Sequence, residues 1–335
     1  MGERDRLHRL IDTFPGCRVL LYGDLVLDRF ILGSPKRISR EAPVLILRFE
    51  EQRDVPGGGA NAMANILSLG GKAVAVGVVG DDEQGKVLLQ SLQARGGDTS
   101  HVVVVPGFRT VTKVRILAGG PSALKHQVAR YDIEDNVGNG QLRQRLAAAL
   151  TELAPTAQGA AVSDYGYGAV FPEGVQTLRR HLPEGALAVA DSRFALASLG
   201  PVDGATPNLE ELSAHAGQFP QNDREVAEAA ESLRRKLRAR FVVATQGSQG
   251  LTLVERGVPP CHFPVYGTDQ VADVTGAGDT VLATLTLALA AGGTPRQAAL
   301  LANLAGGIVV MKAGTATVSA EELHAAVDAA PFIHG

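Results

Sequence analysis

The sequence predicts an α/β fold: a doubly wound, mainly parallel sheet flanked by helices, with a small discontinuous β-sheet lid. Three observations predict it. Short Val-rich apolar runs alternate with longer helical patterns, as in successive βα units. The runs are continuously apolar, as strands buried on both faces are. Two segments break the rhythm by mixing charged with β-branched residues in rough alternation, the pattern of strands with one wet face.

In chain order, the runs place strands over Arg18–Tyr22, Ala73–Val79, Ala160–Ser163, Leu187–Ala190 and Phe241–Thr245. Periodicity places helices over Asn61–Leu69, Glu83–Ala94, Gln141–Leu153, Asp223–Arg240, Ala277–Ala290 and Arg296–Lys312. The irregular segments, residues 30–53 and 109–131, contain Val44–Phe49, Val111–Leu117 and Gln127–Tyr131. Paired into one sheet, they would form a lid over a core of residues 1–29, 54–108 and 132–335. Two surface hairpins are the competing reading, and a lid is favoured because lids are common on such cores.

Composition narrows the function. The 335 residues carry 32 Lys+Arg against 35 Asp+Glu, a net charge of −3, which gives no electrostatic footprint for nucleic acid or a membrane surface. Aromatic residues are few (Phe 10, Tyr 5, no Trp), which argues against a base-stacking platform. Cys17 and Cys261 cannot make a disulfide framework or a cysteine-based zinc site, and Cys17 reads as a small buried hydrophobe. The charged stretch Met1–Leu10 lacks the apolar run of a signal peptide, and Thr280–Pro295 is too short for a membrane span. A soluble, cytoplasmic protein is expected, acting on a small molecule.

Glycine is the outlier at 39 residues, and its clusters mark where backbone approaches a ligand. The strongest is Asp273-Val274-Thr275-Gly276-Ala277-Gly278-Asp279, opening an apolar helix. Small residues at a helix start leave N–H groups unpaired and open, which makes an anion site reinforced by the helix dipole. Asp279 reads equally well as a helix cap or as a base accepting a hydroxyl proton beside a transferring phosphoryl group. The run Gly57-Gly58-Gly59-Ala60-Asn61 fits a loose dinucleotide fingerprint, but the polar stretch before it is no buried strand, so that reading fails its context. Its glycines can admit a sugar to the backbone, and Asn61 offers a donor and an acceptor. Gly23-Asp24 follows the first strand, where open α/β sheets bind ligands, and Asp24 is preferred over Asp28 as a hydroxyl acceptor. No Walker A sequence is present.

Gly276–Asp279 resembles the C-terminal signature of the PfkB/ribokinase-type carbohydrate kinases, and Gly57–Asn61 their N-terminal glycine signature. Asn208-Leu209-Glu210-Glu211 is similar to their Asn-x-x-Glu motif, which alone would read as a capped helix start. Thr245-Gln246-Gly247-Ser248-Gln249-Gly250 resembles their nucleotide-side turn. The resemblance implies a ribokinase-like fold and phosphoryl transfer from ATP to a sugar hydroxyl. It implies Asp279 as base, an anion hole at Gly276, Ala277 and Gly278, and a sugar site including Asp24, Gly58, Gly59 and Asn61. It further implies a nucleotide site with Asn208, Thr245, Gly247, Gly250 and Asn303, and magnesium held through water by Asn208 and Glu211. Asp273, Thr275 and Gly314 fall where many relatives bind potassium. Lids of this type often pair between protomers, so a homodimer through the lid is the candidate assembly.

Gly23–Arg29, Arg37–Val44, Val162–Tyr165 and Gly314–Ser319 are similar to the kinase half of bacterial heptose-7-phosphate kinase/adenylyltransferases. That implies transfer to the anomeric hydroxyl of a sugar phosphorylated at its far end, whose phosphate needs cations. Lys113 and Arg130 are the candidates, with Arg37, Arg40, Arg115 and Arg193 in reserve. Arg40 stands where those kinases usually have proline, and Asp191-Ser192-Arg193 replaces their Asp-Pro-Lys. A kinase of another sugar or of a nucleoside is the alternative, and a catalytically inactive sugar- or nucleotide-binding protein the reading from a different class.

Overall fold

The computed structural model describes residues 2–120, 125–138, 140–267 and 272–331. In chain order the strands are β1 (Arg18–Gly23), β2 (Leu25–Ile38), β3 (Leu45–Gly58), β4 (Lys72–Val76), β5 (Val78–Gly80), β6 (Val103–Val105) and β7 (Thr112–Ala118). They continue as β8 (His126–Ile133), β9 (Gly159–Asp164), β10 (Leu187–Ser192), β11 (Gly204–Ala205), β12 (Phe241–Thr245), β13 (Leu251–Glu255) and β14 (Cys261–Phe263). The helices are α1 (Glu3–Asp12), α2 (Gly59–Ser68), α3 (Glu83–Ala94), α4 (Gly140–Leu153) and α5 (Pro172–His181). After them come α6 (Leu209–Ala216), α7 (Asp223–Leu237), α8 (Ala277–Ala290), α9 (Pro295–Val310) and α10 (Ala320–Ala329).

Eight strands form the core sheet in the order β14-β13-β12-β11-β10-β9-β1-β4. The pairings from β4 through β12 are parallel, and β13 and β14 add an antiparallel edge. Leu20 and Tyr22 of β1 pack into one apolar cluster with α4, α5 and α7, while Val19 and Leu21 pack into another with α2, α8 and α9. Side chains alternate across a strand, so a strand covered on both faces has no polar position, and β1 reads as an unbroken apolar run. Helix α8 is apolar on every side and is buried from Asp279 to Leu289, as such a helix must be.

Four strands form a second sheet in the order β3-β2-β7-β8. Strand β2 pairs antiparallel with β3 and parallel with β7. The β2–β3 ladder starts at Leu25 opposite Gly58, ahead of the boundary expected at residue 30. Leu25–Leu27 are fully apolar and buried, so in sequence they read as a continuation of the first core run.

Three expected boundaries are corrected. The run 73–79 is not one strand but β4 and β5, which lie in different sheets. Gly77 divides them: a Cβ there would stand 2.6 Å from the Gly23 carbonyl oxygen, so the chain turns where it presses on the end of β1. The helix expected to reach Arg240 stops at Leu237, because Arg238 takes a left-handed φ of 55° and the Ala239 N–H turns back to the Arg234 carbonyl. The last long helix begins at Pro295, whose missing N–H costs nothing at a helix start, behind a Thr294 cap. Among the described residues, no helix is long and apolar enough to cross a membrane.

Candidate active site

The Gly276–Asp279 turn forms the first turn of α8. Gly276 has φ 81°, a left-handed conformation, and a Cβ on it would lie 2.5 Å from Asn61 Nδ2, so only glycine fits. The first helical bond runs from the Thr280 N–H to the Gly276 carbonyl (3.0 Å), and no helical carbonyl reaches the amides before it. Of the three expected anion-hole residues, Ala277 is committed elsewhere: its N–H points back to the Val274 carbonyl at 3.3 Å. A Cβ on Gly278 would meet open space, so the helix start is uncrowded there.

Asp279 does not cap this helix. Its carboxylate, only 2% exposed, accepts hydrogen bonds from Tyr165 Oη (2.9 Å) and Asn61 Nδ2 (3.1 Å). Burial pushes its pKa up to about 7, opposed by those two bonds and reinforced by the charges of Asp191 and Asp28. A carboxyl poised there can accept a proton near neutrality.

Two expected sugar ligands have other work. Both oxygens of Asp24 are taken by backbone N–H groups, Tyr165 (2.8 Å) and Tyr167 (3.1 Å) on Oδ2 and Ala169 (3.1 Å) on Oδ1. Asp24 therefore fastens the loop after β9, and burial raises its pKa to about 6. Asn61 gives its NH₂ to Asp279 and to the Gly276 carbonyl, and its Oδ1 accepts from Asn65 Nδ2 (3.2 Å). It orients the carboxylate. Gly58 and Gly59 begin α2 against the Asp24 carbonyl, which accepts the Gly59 N–H at 3.0 Å. Asp28, the less favoured carboxylate in sequence, has Oδ1 2.6 Å from Arg115 Nη1 and Oδ2 2.9 Å from Thr315 Oγ1.

Strand β7 supplies the cations. Lys113 and Arg115 share one face of it by the strand period and are nearly buried, at 6% and 9% exposure. Lys113 Nζ sits 4.4 Å above the Tyr165 ring, and burial lowers its pKa against the pull of Asp28. Arg130 lies opposite Arg115 on β8, more exposed and paired with Asp132 at 2.5 Å.

On the other side of the Gly276–Asp279 turn is a cavity of about 360 Å³. Thr245, Gly247, Gly250 and Asn303 all line it, together with Ala277 and Gly278. Asn208 bridges to Thr245 in parallel and caps α6, its Oδ1 accepting the Glu211 N–H (2.9 Å) while Glu211 Oε2 accepts the Asn208 N–H (3.0 Å). The capped helix start is thus real. Yet burial and the nearby Asp191 raise Glu211 to about 7, a carboxyl crowded by negative charge. Asp273 and Thr275 lie in the turn before α8, with the Thr275 N–H on Asp273 Oδ1 (2.9 Å). Gly314 follows α9, whose Val310 carbonyl accepts the Asp273 N–H (3.1 Å) and so ties that turn to α9.

Sequence reasoning gave no role to Tyr165 or Asp191. Tyr165 stood within the Val162–Tyr165 motif, but nothing in one chain says that the loop after β9 delivers a hydroxyl to a residue 114 positions away.

A buried carboxylate at a helix N-terminus, with a cavity against the same turn and cations near it, is an arrangement suited to phosphoryl transfer on an α/β core. Residues 18–164 and 173–323 match the model of the pfkB family carbohydrate kinases, and the chain belongs to that family. It is 40% identical over 331 residues to bifunctional protein HldE of Caulobacter vibrioides, covering 97% of this chain and 66% of the relative. With the HldE of Stutzerimonas stutzeri the identity is 40%, covering 94% of this chain and 64% of that one. The chain thus spans just under two thirds of these relatives' length. Among solved structures, phosphofructokinase-2 from Escherichia coli, in complex with substrates and products, superposes with a TM-score of 0.76 at 21% identity, covering 93% of this chain and 98% of that one. Arabidopsis thaliana ribokinase complexed with ribose and ATP gives 0.74 at 18% identity, covering 94% and 99%. The fold is ribokinase-like, and the chain is an ATP-dependent carbohydrate kinase.

Proposed function

We propose that this kinase phosphorylates the anomeric hydroxyl of heptose 7-phosphate and works in the cytoplasm, where its ATP is. One observation carries the reading: Asp279 follows directly on Gly278, which lines the cavity, and its carboxylate is within electrostatic reach of Lys113 and Asp28. The motif resemblance and the HldE relatives support the choice of sugar.

ATP would occupy the cavity along Thr245, Gly247, Gly250 and Asn303, with its γ-phosphate at the α8 N-terminus. The sugar would lie over Gly58 and Gly59 with a hydroxyl on Asp28, and Lys113, Arg115 and Arg130 would hold its far phosphate. Asp279 would take the anomeric proton as that oxygen attacks the γ-phosphorus and the bond to the bridging β-phosphate oxygen breaks, releasing ADP, while the amides of Gly278 and Asp279 and the helix dipole would stabilise the charge on the transferring group. Magnesium fits beside Asn208 and Glu211, whose oxygens and crowded negative charge suit a hydrated divalent cation, and it would neutralise the phosphates. Potassium fits the oxygen-only turns of Asp273, Thr275 and Gly314, where it would brace the start of α8. The second sheet would close over the sugar, and its exposed Ile38 (69%) and Phe49 (65%) suit a homodimer through that sheet.

The test is ADP release with ATP and magnesium, with and without potassium, across heptose 7-phosphate, other sugar phosphates, neutral sugars and nucleosides. Turnover confined to the phosphorylated heptose supports the proposal. Preference for a neutral sugar or a nucleoside discards the substrate, and ATP binding without turnover on any acceptor points to a binding protein.

A further inference from the structure

We propose that Tyr165 is a positioning residue that couples the second sheet to the base: with Lys113 of β7 seated on its ring, its hydroxyl is held where it favours the ionised Asp279 carboxylate. The inference rests on the kinase reading and deepens it.

The geometry forms one chain of contacts. Lys113 Nζ lies 4.4 Å from the centroid of the Tyr165 ring, within range of a cation–π attraction. The hydroxyl of that ring donates to Asp279 Oδ1 at 2.9 Å. The loop carrying Tyr165 is itself pinned, because its N–H donates to Asp24 Oδ2 at 2.8 Å. Tyr165 is thus fixed at its backbone by the core and held at its ring by the second sheet, and it spends its hydroxyl on the base.

Asn61 Nδ2 holds the other carboxylate oxygen from α2, so two donors fix the plane of the carboxylate. A charge-assisted bond of this kind is stronger than a neutral one, and losing it favours the protonated carboxyl. The remaining charged groups that act on Asp279 are Asp28 from β2, Asp191 from β10 and Lys113 from β7. Burial keeps Tyr165 protonated, so it is a donor throughout the working pH range.

The experiment compares Tyr165→Phe, Lys113→Met and the double variant with the wild-type chain, using Asp279→Asn as a control, each checked for folding by thermal melting. Tyr165→Phe keeps the ring and loses only the hydroxyl. Its kcat/KM profile should keep its shape while the acid limb moves about one pH unit higher, with roughly tenfold lower kcat/KM on the acid side and recovery above the limb. Lys113→Met should lower kcat on the acid side of the limb more in the wild-type background than in the Tyr165→Phe background, where only its direct charge on Asp279 is left to lose, while raising KM for the sugar phosphate in both. An unmoved acid limb in folded Tyr165→Phe overturns the positioning role. An equal kcat loss for Lys113→Met in both backgrounds overturns the coupling. If Asp279→Asn turns over like the wild type, the kinase reading itself is wrong, a result distinct from either.

Discussion

Asp279→Asn should slow the enzyme and stabilise the protein. In the folded chain the carboxyl sits at about 7, whereas in an unfolded chain it titrates near 3.9. The folded protein therefore holds this proton more tightly, so stability falls as pH rises from about 4 to about 7, and the full penalty is present above that window. A gap of about three, at 1.36 kcal/mol each, is worth about 4 kcal/mol. Asparagine keeps the shape and one acceptor for Tyr165 Oη, but it turns an NH₂ toward Asn61 Nδ2, leaving donors unmatched at a cost of about 1–3 kcal/mol. The net gain at pH 8 is then about 1–3 kcal/mol, or a Tm rise on the order of 2–6 °C for a chain of this size. Near pH 4.5, where the wild-type carboxyl is already protonated, the gain disappears. Thermal melts of both proteins at the two pH values, without nucleotide, read the effect directly. The same variant should lose about two to four orders of magnitude in kcat by coupled ADP release. A variant that melts below wild type at pH 8, or by the same offset at both pH values, refutes the stored penalty; near-wild-type turnover removes Asp279 as the base.

Asp24→Ala strands the N–H groups of Tyr165, Tyr167 and Ala169 at about 1–3 kcal/mol each, and near pH 4, where little is returned by removing a carboxyl raised to about 6, it should cost several kcal/mol by urea unfolding; a loss under about 1 kcal/mol there would mean that the loop holds itself. Arg130→Glu should raise KM for a sugar phosphate about tenfold or more and leave KM for neutral sugars unchanged, and equal effects on both would place the substrate phosphate elsewhere. Cys17→Ala and Cys261→Ala should retain turnover within about twofold, since Cys17 is packed in the core and Cys261 lies on the edge strand β14, and inactivation of a folded variant would assign a thiol to the reaction.

The core was legible because strands such as β1 and β12 are buried on both faces and write that burial as unbroken apolar runs. The turn at Gly276 was legible for a similar reason: its small residues are imposed by local geometry. What stayed hidden depends on contacts far apart in the chain. Asp24 and Asp28 are equivalent in sequence, two carboxylates four positions apart after a strand. Only contacts distant in sequence decide that the first is taken by backbone amides of the loop beginning at Tyr165 and the second by the side chains of Arg115 and Thr315. The Asn61 amide looked free to grip a sugar until Asn65 and Asp279 claimed both ends. The split of 73–79 came from a carbonyl of β1, which no local pattern around Gly77 encodes.

Strand β2 leaves β1 after the single residue Asp24, and β3 runs straight into α2 with none between. A door needs a hinge with slack in it. These two joints have none, for the first is bolted down by three amides and the second is the start of a buried helix. The closure proposed for the second sheet would therefore be a flexing of the strands themselves, like a springboard clamped at one end. The ladder is irregular at Leu32/Gly33 and Pro35/Arg37, well out along the board. In the closure proposed above, the far half would lift to admit a sugar while the clamped half, with Asp28 and Lys113, would stay in place beside Asp279.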